Sequence, residues 1–203
     1  MTTRECVRQS ICNSPGETGE IMRARKTRRR RGRNFGAVAV VALAGCVSHI
    51  DDLKKAPVTG SAFDQALAKD YRSYVAHQVA QDNWYYADYF AKKGLDASKG
   101  QTVAPENVAK WNIPAGKQED MNGYRKRLMA VLNGDAPSAR PQWAARAQVS
   151  FDCWLQVLEQ NNITETHAWI AGSDTITATP DNYAAATCKD NFLQELAKAE
   201  ASS

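Results

Sequence analysis

Residues 35–45, FGAVAVVALAG, form an unbroken run of apolar and small side chains. As a helix rising about 1.5 Å per residue, the run is about 16 Å long. Crossing about 30 Å of hydrocarbon takes roughly twenty residues. The run is therefore too short for a permanent span, and it fits the roughly 7–15 apolar residues of a secretory leader. The segment before it, RARKTRRRRGR at 23–33, is densely basic, and such charge holds an amino end on the cytoplasmic side of a membrane. These two segments divide the chain near residue 45, and the folded core is expected from the residues beyond that point.

The apolar run closes on Leu43-Ala44-Gly45-Cys46. Small side chains at Ala42, Ala44 and Gly45 let an extended backbone enter a peptidase cleft. The order of basic segment, short apolar segment, small residues and cysteine resembles a bacterial lipoprotein signal peptide ending in a lipobox. That resemblance implies a diacylglyceryl group on the thiol of Cys46, cleavage after Gly45 and acylation of the new amino terminus. Residues 1–21 are polar and contain Glu5, Glu17 and Glu20, which a leader rarely carries. Translation from Met22 would give a leader of 22–45 and leave 1–21 untranslated or disordered. Val47, in place of an aspartate, points to the outer membrane and a domain facing the periplasm. Two other readings compete with this one. A basic arm for nucleic acid accounts for the arginines but not for the apolar run after them. A core helix could contain VAVVALAGC by chance.

Ten of the 26 basic side chains but only three of the 22 acidic ones lie in residues 1–45, so residues 46–203 carry a net charge of −3. A mildly acidic domain is a poor binder of phosphate backbones, and no nucleic-acid partner is expected. The remaining length suits one domain with its own core. Cys6 and Cys12 fall in the leader region, and Cys46 is the lipidation site. Cys153 and Cys188 remain, and in an oxidising compartment they most simply pair; the alternative is two separate buried thiols. No CxxC or HxxxH spacing supports a metal site.

Residues 46–60 read as a flexible tether holding Pro57 and Gly60. Residues 61–203 read as an all-α periplasmic domain of about five helices, beginning with a helical hairpin. Phe63, Leu67, Tyr71 and Tyr74 share one face of a helix over 62–81. Trp84, Ala87, Ala91 and Leu95 share a face of a second over 83–99, with Gly100 as its stop. A third helix is predicted at 118–133 with Met121, Tyr124, Leu128 and Val131 in register. A fourth, at 141–162, starts on Pro141 and carries Trp143, Ala147, Phe151, Trp154 and Leu158. The last, at 180–200, takes Thr179 as its cap and repeats Cys188, Phe192 and Leu196. Residues 163–179 read as a loop.

Reactive constellations are scarce. His49, His77 and His167 are scattered, no nucleophile elbow is present, and no catalytic residue, cofactor or metal ligand is assigned. Asp82, Asp88 and Glu106 lie near aromatics in the manner of a sugar site, but caps and solvated faces explain them better. Trp84, Tyr85, Tyr86 and Tyr89 crowd so closely that they encircle a helix. At least one should meet something outside the core, and these four are the candidate contact surface.

Four segments carry a wider likeness: FDQALAKDY at 63–71, ADYFAKKGLDASKG at 87–100, VAPE at 103–106 and AQVSFDCW at 147–154. Together they resemble the amino-terminal helical domain of OmpA-type envelope lipoproteins of Gram-negative bacteria. In that family a carboxyl-terminal OmpA domain binds peptidoglycan. Only about forty residues lie beyond residue 162 here, fewer than that domain occupies, and its binding motif is absent, so peptidoglycan binding is not carried over. The resemblance implies a lipid-anchored helical module in the envelope. The chain is read as such a lipoprotein serving as a structural or interaction module, with an envelope protein as its expected partner. The alternatives are an accessory small-ligand or cell-wall-binding protein using the aromatic cluster, and a basic-armed nucleic-acid-binding protein.

Overall fold

The computed structural model describes residues 48–170 and 182–201, with side chains over 48–163 and 186–201. The leader, Cys46, and the expected Thr179 cap with Pro180 lie outside the described residues. Helix makes up 79% of the described part and no strand occurs in it, so the chain is all-α there. The elements are α1 (His49–Lys55), α2 (Ala62–Ala80), α3 (Trp84–Ser98), a 3-10 turn (Val108–Lys110), α4 (Ala115–Leu132), α5 (Ala136–Ala139), α6 (Pro141–Ile170) and α7 (Asn182–Glu200). The sequence pattern does not predict α1 or α5. The expected loop from 163 is helical as far as Ile170, because no glycine or proline interrupts the sequence before Gly172.

The larger correction is α1, which lies within the segment expected to be a flexible tether. Its apolar content is only Ile50 and Leu53, too short a pattern to register as a period, yet both are buried. Local signals suit a helix: Ser48 accepts from the Asp51 N–H, Asp51 and Asp52 lie in the first turn, and Lys54 and Lys55 in the last. This charge order complements the helix dipole. Seven residues cannot hold a helix alone, so tertiary contacts must do it. Arg72 of α2 donates from Nε to the Leu53 carbonyl at 2.9 Å and from a terminal nitrogen to the Ala56 carbonyl, satisfying carbonyls that the helix end leaves open. The bare Cα of Gly94 on α3 admits Leu53; a Cβ there would come within 2.8 Å of its methyl group.

The hairpin of α2 and α3 forms as expected. Ser61 and Asp64 close a capping box at the start of α2. At the end of α3, Gly100 takes φ +71°, its N–H bonds the Ala97 carbonyl, and the Gln101 N–H bonds the Asp96 carbonyl. That is a Schellman ending. Leu67, Tyr71 and Tyr74 are buried while Phe63 is half-buried. On α3 the buried stripe is broader than expected: Ala87 and Ala91 are joined by Tyr86, Phe90 and Ala97, with Trp84 and Leu95 at its margin. Phe90 is its centre, 5.0 Å from the Tyr74 ring. At the other side of the core, Phe192 of α7 meets Phe151 of α6 at 5.5 Å and Tyr124 of α4 at 5.7 Å.

Cys153 and Cys188 lie side by side with Cα atoms 5.8 Å apart, 35 residues apart in sequence, within the span a disulfide bridges. Closing a loop of that size is expected to contribute about 3–4 kcal/mol. Non-reducing peptide mapping should recover the two cysteines in one linked peptide pair. Reduction should lower the denaturant midpoint, and free thiols at both positions in oxidised protein would refute the pairing.

Candidate functional site

Helix α6 carries a polar stripe through the core. Gln148, Asp152 and Gln156 recur every four residues and are wholly buried, with Glu159 on the next turn. A spacing of four keeps residues on one helix face, and here that face meets the hydroxyls of the α2–α3 hairpin. Tyr71 donates to Asp152 at 2.6 Å, Tyr74 to Gln156 at 2.7 Å, and Tyr86 to Glu159 at 2.9 Å. Gln78 adds a bond to Gln156 at 3.1 Å. Glu159 also accepts the Asn112 N–H at 2.8 Å.

The charged centre of the seam is Lys93, whose ammonium bonds Glu106 at 2.7 Å and Asp152 at 2.5 Å. Every carboxylate oxygen there has a donor. Asp152 Oδ1 accepts the Glu106 N–H at 2.8 Å, and its Oδ2 takes Tyr71 and Lys93. Glu106 Oε2 accepts Tyr89 at 2.9 Å and the Trp111 indole at 3.1 Å. The backbone bringing Glu106 in is clamped as well: Arg125 donates to the Glu106 carbonyl at 2.7 Å, and Gln148 to the Val103 carbonyl at 2.8 Å. Burial pushes Asp152 above the ordinary carboxylate range, although Lys93 opposes it. Burial pushes Glu106 the same way, but Lys93 and its hydrogen bonds outweigh this and hold it low. Two carboxylates thus share one ammonium with their oxygens already occupied. This arrangement locks the α3–α4 connection onto α6. Tyr71, Lys93, Glu106 and Asp152 come from four separate stretches of the chain.

The aromatic cluster is divided by the fold. Tyr86 is buried on Glu159, Tyr89 is half-buried on Glu106, and Trp84 is half-buried against the core. Tyr85 points outward with 67% of its surface exposed. Asp88 is a buried anchor for α1, accepting from the His49 N–H at 3.2 Å and lying 3.0 Å from its Nδ1. Burial raises its pKa, but His49 and Lys92 prevail and lower it. Among the described residues no cluster of His, Cys, Asp or Glu could hold a metal ion, and no helix is long and apolar enough to cross a membrane.

A shallow cleft of about 270 Å³ lies between α2, α6 and α7, lined by Asp70, Arg146, Val149, Ser150, Asn191 and Glu195. It is slightly below the roughly 300–1,000 Å³ of small-molecule sites, and neither Trp84 nor Tyr89 lines it. Burial pushes the Asp70 carboxyl up to about 6, against the pull of Arg146 and Lys69. Among known proteins, the chain matches no family model, no curated protein and no solved structure.

Two stability measurements test these electrostatics. Lys93→Met should cost about 3–5 kcal/mol in urea unfolding, as expected for a buried ion pair that loses one partner. Adding Glu106→Gln and Asp152→Asn should recover part of that loss. Asp70 follows the opposite rule from a salt-bridged acid. Between about pH 4 and its folded value of about 6, the folded state keeps a proton that the unfolded chain gives up, so stability falls as pH rises through that window. Asp70→Asn should therefore raise the melting temperature at pH 7.5, with the gain gone by about pH 4. A gain that persists at pH 4 would show that Asp70 acts through something other than its charge.

Proposed function

We propose that this chain is a lipid-anchored lipoprotein of the bacterial envelope, held through Cys46 in the outer membrane, whose helical periplasmic domain works as a structural or interaction module. The observation that carries this reading is the LAGC sequence at the end of a short apolar run behind a basic segment. Two features of the fold support it. Helix α1 opens at Ser48 and is stapled at once by His49 and Arg72, as suits a domain starting close behind a processing site. Asp152 and Gln156 of α6 are engaged by side chains of the α2–α3 hairpin, which favours a role in holding shape over one in chemistry. A small net negative charge after residue 45 disfavours the nucleic-acid alternative.

The test is expression with the native leader in a Gram-negative host given labelled fatty acid. Label should enter the protein and accompany it into the detergent phase. Cys46→Ala should abolish both, leaving an unprocessed or water-soluble product. Unchanged labelling and partitioning in Cys46→Ala would overturn the proposal.

A further inference from the structure

Tyr85 is the one large apolar side chain that stands exposed among the described residues, at 67% of its surface. It stands three residues before Asp88, and residues three apart share a helix side, separated by about 4.5 Å along the axis. Asp88 is the residue that fixes the start of α1, through the His49 N–H at 3.2 Å and its ring nitrogen at 3.0 Å. Helix α1 then runs along α3 in the same direction, with Leu53 against Gly94 and the Thr59 N–H on the Ser98 carbonyl at 2.8 Å. Its first residue is therefore held at the end of the domain that presents Tyr85. Cys46 precedes His49 by three residues, so the chain can carry the Cα of Cys46 at most about 11 Å from that of His49.

We infer that Tyr85 seats against the lipid surface into which Cys46 is anchored, giving the domain a fixed face toward the bilayer. The inference rests on the proposed lipidation. A tyrosine suits the site because its ring is apolar and its hydroxyl hydrogen-bonds, the combination that places Tyr and Trp at membrane–water interfaces. The alternative, a ring exposed for a protein partner, is an outcome of the test below. The opposite end of the domain provides a control. Exposed Gln142 lies seventeen residues before Glu159 on α6, about 25 Å along the helix axis, and Glu159 bonds Tyr86, the neighbour of Tyr85.

The experiment uses the processed, lipidated protein in vesicles of phosphatidylethanolamine and phosphatidylglycerol, with p-benzoylphenylalanine incorporated at position 85 or position 142. Irradiation should attach phospholipid to the peptide containing residue 85, severalfold more than to that containing residue 142, and Cys46→Ala should remove the adduct. Protein that floats with the vesicles but gives no excess lipid adduct at 85 overturns the inference and leaves the anchor standing. Protein that does not float overturns both. A protein adduct in place of lipid when the same variant is irradiated in intact cells also overturns it. Tyr85→Ala should keep the melting temperature of the parent, which separates a surface role from a structural one.

Discussion

The hydrogen bonds along the buried face of α6 are the constraint on which the rest of the domain depends. A purely apolar α6 could slide or rotate against the hairpin with little loss, because apolar contact is not directional. Gln148, Asp152 and Gln156 remove that freedom. Asp152 and Gln156 must find their partners on the hairpin and Gln148 the Val103 carbonyl beyond it, and a shift of one turn would leave charged or amide groups buried without them, at roughly 1–3 kcal/mol apiece and more for a charge. The seam therefore selects one register between α6 and α2–α3. Its net stabilisation is a separate matter, since buried ion pairs often only break even against apolar replacements.

The other placements depend on that register. Lys93 must face α6, which turns Phe90 and Ala97 of α3 into the core on the same side. Glu106 must reach the same ammonium, which folds the Val103–Glu106 strip back over α3 and brings Trp111 under Tyr86, their rings 6.1 Å apart. Arg125 then ties α4 to that strip. On the far face of α6, Phe151 and Trp154 are left to receive Phe192, and Cys153 comes beside Cys188.

What the sequence disclosed was periodicity, and what it hid was partnership. Leu67, Tyr71 and Tyr74 on α2, and Cys188, Phe192 and Leu196 on α7, repeat at helical spacing and are buried as that spacing predicts. Lys93 looks like a solvated lysine because its partners lie 13 and 59 residues away, and no local pattern announces them. The stripe Gln148, Asp152, Gln156 was the available signal: three polar residues at four-residue spacing mark a helix face with a purpose, here embedded among the apolar residues of the same helix. Helix α1 is hidden for the opposite reason. Two apolar residues in seven are too few to make a period, and its stability comes from Arg72, Asp88 and the notch at Gly94, all distant in sequence. Trp84, Tyr86 and Tyr89 neighbour Tyr85 along the chain and look like one surface with it, whereas each turns to a different partner.

The attachment of α1 also has a mechanical side. It lies lengthwise along α3, gripped near its first residue by Asp88, midway by the Gly94 notch and at its last carbonyls by Arg72. A pull on the chain ahead of Ser48 along the axis of α1 would load these three grips together, as in a lap joint, rather than opening them one after another. The junction would then resist tension in shear and pass it directly into the hairpin.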